Sequence, residues 1–172
     1  MGRERSRRNY LEHSDASGGG EHQGRGTGDL GRSGDVGERL RVELSQDYEA
    51  IKSVLTHPAI WEDIGGEGDP SDWEVPAGAL YLLGSVAGAP MGVFVLHGDA
   101  DSMECHVQVL PQYRKEHAVS FGKRVVDLSS RYTRRLTAEI PKQFPTVHRF
   151  AMANGFEVTK EDDSVRWYAR EV

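Results

Sequence analysis

The 172-residue sequence contains a single cysteine, Cys105, and no long run of apolar residues. One cysteine excludes an internal disulfide and any metal site that needs several thiolates. A membrane-spanning helix requires roughly 20 consecutive apolar residues, and a secretory signal peptide requires a shorter apolar core near its N-terminus. The sequence shows neither pattern, so it predicts a soluble protein that is made in the cytoplasm and is not secreted by a signal peptide.

An excess of positive charge is also missing. Lys and Arg number 21 against 27 Asp and Glu, which gives a net charge of -6. A domain that holds nucleic acid mainly by neutralising phosphates is usually basic. The composition therefore argues against nucleic acid as the partner, and the scattered histidines show no zinc-ligand spacing, so we expect no metal.

Large apolar residues are rare in residues 1–37, which hold half of the 20 glycines. The segment opens with an arginine cluster, Arg3, Arg5, Arg7 and Arg8. Such a composition cannot bury enough apolar surface to offset the entropy lost on ordering. We therefore predict a Gly/Arg-rich N-terminal arm at 1–37, flexible or ordered by a partner, before a folded domain at 38–172. Binding of nucleic acid by the arm rests on the arginines alone, and such clusters are usually solvated.

Residues 38–172 alternate between strand and helix patterns. Apolar residues that recur every second position predict strands, as do the short apolar runs at 80–85 and 91–97, and apolar residues that recur every three or four positions predict helices. Glycine and proline predict a loop at 65–76 and a hairpin turn at 86–90. The predicted strands are 39–44, 80–85, 91–97, 103–110, 136–140 and 164–170, and the predicted helices are one capped by Ser45, one at 117–135 and one at 144–154.

Two short motifs accompany this order of elements. Pro111-Gln112-Tyr113-Arg114 follows the fourth strand, and Asn154-Gly155-Phe156 ends the last helix. Over residues 39–172 the succession resembles the GNAT N-acetyltransferases. The resemblance implies an α/β (α+β) fold with a mixed, mostly antiparallel sheet of about six to seven strands flanked by helices, preceded here by an extended N-terminal arm. It also implies acetyl-CoA as the cofactor.

In that family the turn after the fourth strand contains glycines, which let backbone N–H groups approach the cofactor's pyrophosphate. Here the two small positions are His117 and Val119, whose side chains occupy the space expected for phosphate, and Glu116 adds a repelling charge. Lys115 and His117 remain candidate phosphate contacts. The resemblance places the cofactor-binding residues at Leu110, Arg114, Lys115, Glu116, His117, Ala118 and Val119.

The resemblance also indicates where chemistry would occur. Many active members carry a tyrosine four residues before the final glycine, where it protonates the departing thiolate; this sequence has Ala151 there. Glu104 and His106 share one face of the fourth strand. Glu104 is the candidate base, with His106 as its orienting partner or substitute, and the alternative is a purely structural pair.

His57 and Trp61 are candidates to line the acceptor cleft. A helix stop at His57-Pro58 and a core position for Trp61 are their structural alternatives. Cys105 is expected to be a buried small hydrophobe rather than a nucleophile.

A narrower resemblance rests on three segments, His57–Ile64, Glu104-x-His106 and the helix at 148–156. Together they resemble small GNAT-like proteins of tailed bacteriophages. This implies a non-catalytic virion or assembly protein that docks to other particle proteins through residues 1–37, is made in the host cytoplasm and is incorporated in the virion. The alternative is an acetyl-CoA-dependent N-acetyltransferase that acylates an amine.

Overall fold

A computed structural model describes residues 39–62 and 64–172. The predicted arm at 1–37 lies outside the described residues. The strands are β1 (Arg41–Leu44), β2 (Leu80–Val86), β3 (Ala89–Gly98), β4 (Met103–Val109), β5 (Arg135–Pro141), β6 (Glu157–Glu161) and β7 (Val165–Glu171). The helices are α1 (Tyr48–Leu55), α2 (Pro58–Trp61), α3 (Pro111–Ser129) and α4 (Pro145–Ala153), with a 3-10 turn at Pro70–Asp72.

The seven strands form one sheet in the order β1-β2-β3-β4-β5-β7-β6. Neighbouring strands are antiparallel except β4 and β5, which are parallel. Apolar clusters lie on both faces of the sheet, one built with α3 and α4 and the other with α1 and α2. The predicted mixed, mostly antiparallel sheet flanked by helices is therefore confirmed.

Two glycines bring α3 close to the β2–β3 hairpin. The Phe121 ring of α3 lies directly over Gly84 and Gly92, where a Cβ atom would stand 2.6 Å and 2.9 Å from its carbon atoms. The hairpin itself turns through Ala87 and Gly88, both with positive φ, as two-residue turns between twisted strands require. The Phe121 contacts fix the middle of α3 against the sheet.

The prediction of a helix at 117–135 was wrong at both ends. The helix begins at Pro111, because proline has no N–H to lose at the first helical position and Leu110 before it is extended. It ends at Ser129, and Tyr132, inside the predicted range, lies half-buried beyond it.

Two further predictions need correction. The cap of α1 is Asp47, whose Oδ1 accepts from the Ala50 N–H at 3.0 Å, whereas Ser45 accepts from the N–H of Asp47. Tyr48, the first residue of α1, is exposed although it is aromatic. Strand β6 was missed because all five of its side chains are exposed, which leaves no alternating apolar pattern.

A buried histidine holds α4 against the sheet. His148 Nδ1 lies 2.8 Å from the Tyr168 hydroxyl oxygen on β7, and Nε2 lies 3.1 Å from the carbonyl oxygen of Pro141 on β5. A carbonyl can only accept, so Nε2 carries the proton and Nδ1 accepts from the tyrosine hydroxyl. Burial lowers the pKa of His148, which keeps the ring neutral in this arrangement.

We expect Tyr168→Phe to lower the free energy of unfolding by about 1–3 kcal/mol, because it leaves Nδ1 of His148 buried without its donor. Urea unfolding at pH 7.5 measures the loss. Tyr48→Phe removes a hydroxyl from a tyrosine that is 53% exposed and should change stability by less than about 0.5 kcal/mol. Equal stability of Tyr168→Phe and wild type would contradict this account of α4.

Candidate functional site

The parallel strands β4 and β5 separate soon after they meet. Their ladder pairs Met103 with Leu136 and Glu104 with Thr137, and it stops there although β4 continues to Val109 and β5 to Pro141. β4 stays paired with β3 on its other edge, and β5 with β7. The backbone groups on the two diverging edges therefore face a gap, where a ligand or water must satisfy them.

The gap opens into a mainly apolar cleft under α4. Its empty volume is about 530 Å³, including the part open to solvent. An apolar slot flanked by two strand edges suits an elongated ligand with amide groups, because such a ligand can pair with both edges. The lining residues are Phe94, Cys105, His106, Val107, Ala138, Glu139, Ile140, Val147, Phe150, Ala151 and Phe156.

Two residues with polar side chains, His106 and Glu139, border the gap between the strands. His106 Nε2 lies 3.6 Å from Glu104 Oε1, and its ring centroid lies 5.8 Å from that of His97 on β3. Strand alternation puts these side chains on the face opposite α3 and α4. The structure thus brings the predicted pair Glu104 and His106 together, and their catalytic role stays a prediction.

The ionisation of His106 is set by opposing effects. Burial lowers its pKa and outweighs the nearby charge of Glu104, which raises it; His97 adds to the lowering, and Glu139 opposes it. The ring is therefore neutral at pH 7 and has a nitrogen that can accept a proton. Glu104 is about half-exposed, so it also contacts solvent.

The other side of β4 carries no comparable group. Cys105 points toward α3 and α4, and burial raises the pKa of its thiol to about 12, so no thiolate forms near neutral pH. Ala151 stands on α4 in the cleft wall, at the position where the family resemblance expected a tyrosine. It has no proton to donate.

The predicted phosphate-binding residues do not form a loop. Leu110 precedes α3 and donates its N–H to the Met91 carbonyl at 2.8 Å, while Arg114–Val119 are all helical. In an α-helix each N–H donates to the carbonyl four residues earlier. The N–H groups of His117 and Val119 are therefore directed to Tyr113 and Lys115, away from any ligand.

Side chains from this stretch also point in different directions. Arg114 Nε donates to the Val109 carbonyl at 2.9 Å, and Ala118 is buried against the core. His117 lies beside the Tyr113 ring and 4.0 Å from the Glu116 carboxylate. Lys115, Glu116 and Val119 are exposed. Cofactor binding by these residues stays a prediction.

His57 and Trp61 do not line the cleft between β4 and β5. His57 Nδ1 accepts from the Ala59 N–H at 3.2 Å and caps α2. Trp61 is buried edge-to-face against Trp73, with ring centroids 6.0 Å apart. Sequence reasoning missed Glu139 in the cleft, although its signal was a lone carboxylate between Ala138 and Ile140 in a predicted strand.

Among residues 39–62 and 64–172, no helix is long and apolar enough to cross a membrane. The same residues contain no group of three or more His, Cys, Asp or Glu side chains placed to hold a metal ion.

Comparison with known proteins identifies the fold. No protein-family model matches the sequence, and no curated protein matches it significantly. Solved structures do match. Spermidine N-acetyltransferase from Vibrio cholerae, with CoA and spermine, is 14% identical over 77% of this chain and 95% of its own, with a TM-score of 0.62. A GNAT-family acetyltransferase from Bacillus anthracis is 15% identical over 78% and 95%, with a TM-score of 0.61.

N-acetyltransferase PseH from Campylobacter jejuni, with acetyl coenzyme A, is 15% identical over 77% of this chain and 99% of its own, with a TM-score of 0.54. The matches cover nearly the whole of these proteins and about the length of the described domain. The chain therefore has the fold of the GNAT acetyltransferases.

Proposed function

We propose that this protein is an acetyl-CoA-dependent N-acetyltransferase. The observation that carries the proposal is the cleft between β4 and β5, which opens two backbone edges beside His106. Structures with the same fold have been solved with CoA or acetyl-CoA. Acetyl-CoA supplies an activated acyl group whose thiol is the leaving group.

The cleft fits the thiol arm of this donor. The pantetheine arm is a narrow, extended chain with two amide groups, and the diverging strands offer N–H and C=O groups along both sides of the slot. The apolar walls, including Val107 and Phe150, exclude water from the thioester. The pantetheine arm can bind in the cleft whether or not Arg114–Val119 contact the rest of the cofactor.

His106 is the residue best placed to accept the proton of the incoming amine. An alkyl amine is an ammonium ion at pH 7 and must lose a proton before it can attack. His106 lines the cleft and is neutral, whereas Glu104 lies behind it. Glu104 and Glu139 place negative charge next to the ring, which attracts the cation and stabilises the protonated imidazole.

We expect His106→Gln to reduce acetyl transfer by roughly a hundredfold or more, as for loss of a general base. In the wild type, activity should fall as the pH drops through the lowered pKa of His106, below about 6.5, because the protonated ring cannot accept a proton. His106→Gln should lose this limb of the pH profile. His57→Asn keeps a side-chain cap on α2, far from the cleft, and should retain full activity.

Thiol release with acetyl-CoA and a primary amine measures the rate, and calorimetry with CoA checks that donor binding is intact. An unchanged rate and pH profile in His106→Gln would remove His106 from the mechanism. Glu104 would then be the remaining candidate base on this face.

A second candidate function is a non-catalytic virion or assembly protein with a GNAT fold. The observation that favours it is α3, which replaces the expected glycine-containing loop with a helix from Pro111 onward. In this proposal the chain is made in a host cytoplasm. Residues 1–37 then dock to other particle proteins, and the chain is carried into the particle.

A chain that begins at Glu38 tests this second function. It keeps every described strand and helix, so we expect its melting temperature to match that of the full chain. The shortened protein should be lost from purified particles, because a segment that orders on binding supplies contacts only there. Normal incorporation of the shortened chain would contradict docking through the arm.

A micromolar dissociation constant for acetyl-CoA, equivalent to a binding free energy of about -8 kcal/mol, would contradict the non-catalytic function.

A further inference from the structure

The two halves of the expected donor meet very different surfaces on this protein. The gap between β4 and β5 offers an apolar slot and two diverging strand edges to the thiol arm. The position expected for the diphosphate is occupied by the first two turns of α3. The binding energy for the donor must therefore come mainly from its thiol arm.

The start of α3 has few backbone donors to offer a diphosphate. Pro111 has no N–H, and the N–H of Tyr113 donates to the Leu110 carbonyl at 2.9 Å. From Arg114 onward the N–H groups enter the helical ladder. At most the N–H of Gln112 is left to donate to a diphosphate. A phosphate-binding loop, in contrast, directs several N–H groups at its anion.

Charge at this position does not compensate for the missing donors. The Glu116 side chain is 78% exposed, and its carboxylate lies 4.0 Å from His117 Nε2, so it faces the ring that would otherwise contact phosphate. The sequence neighbours of this carboxylate include Lys115, and the Arg114 guanidinium donates through Nε to the Val109 carbonyl at 2.9 Å. A doubly charged diphosphate gains little here compared with water.

We propose that this protein recognises its acyl donor through the pantetheine arm alone, without a contribution from the diphosphate and nucleotide. The inference rests on the proposed acyltransferase function and specifies its donor class. Any acyl-pantetheine thioester then qualifies. The arm has two natural sources, the CoA thioester and the phosphopantetheine group of an acyl carrier protein.

Calorimetry of the full chain with pantetheine and with CoA tests the proposal directly. Both ligands carry the same thiol arm, and only CoA carries the diphosphate and nucleotide. We expect their dissociation constants to agree within about threefold. CoA binding more than about thirtyfold tighter than pantetheine would overturn the inference while supporting the proposed function. Absence of binding by both ligands would overturn the inference and the proposed function together.

Variants in the cleft and in α3 separate the two surfaces. Ala151→Phe fills the cleft and should weaken both ligands equally, whereas Met152→Phe, on the exposed side of the same helix, should weaken neither. The double variant His117→Gly/Val119→Gly should strengthen CoA and leave pantetheine unchanged, because it opens the helix where the diphosphate would lie. Ser120→Gly/Lys123→Gly adds the same number of glycines at exposed positions of α3 and serves as its control.

A decrease in CoA affinity for His117→Gly/Val119→Gly, with pantetheine unchanged, would mean that the native helix does hold the diphosphate and would overturn the inference. Rates of acyl transfer then distinguish the two sources of the arm, the small thioesters and the acyl carrier protein. S-acetyl-pantetheine and acetyl-CoA should give similar kcat/KM values with the same primary amine. A higher kcat/KM for an acetylated carrier protein than for S-acetyl-phosphopantetheine would identify the carrier protein as the source, and equal values would identify the small thioesters.

Discussion

The separation of β4 from β5 after Glu104 and Thr137 determines where a ligand can bind in this protein. A sheet that stayed paired would leave no gap, and its backbone groups would need no further partner. The separation persists because each strand is held on its other edge, β4 by β3 and β5 by β7. His148 bonded to Tyr168 and Pro141 keeps α4 over the gap, so the slot has a fixed roof.

The position of α3 is the second constraint. The separation of β4 from β5 opens a site for a ligand, whereas α3 limits which part of a ligand the neighbouring backbone can bind. Phe121 over Gly84 and Gly92 fixes the helix on the β2–β3 hairpin, and Pro111 starts it directly after β4. The fold therefore keeps the slot for a thiol arm but uses the neighbouring backbone for helical hydrogen bonds. His106 and Glu139 border the cleft, and the backbone at the start of α3 is not open to phosphate. This arrangement is consistent with acyl transfer from a donor that is bound through its pantetheine arm.

Much of this fold follows from local sequence patterns. Apolar alternation and short apolar runs predicted six of the seven strands, and the shared face of Glu104 and His106 followed from the period of a strand. β6 could not be predicted because it buries no side chain. The start of α3 was misplaced because the family resemblance assigned a loop to residues that Pro111 and Phe121 place in a helix. Glu139 and the α4 wall join the cleft only through tertiary packing, which no local pattern shows.

Hydrogen exchange of the backbone amides tests the central claim most directly. On addition of pantetheine, exchange should slow in residues 105–109 of β4 and 138–140 of β5, because the arm pairs with the strand edges that face the gap. CoA should protect the same residues and add no protection at 112–119. Protection at 112–119 with CoA, together with unchanged exchange in both strands, would contradict the account, because the donor would then be held by α3 and not by the gap in the sheet.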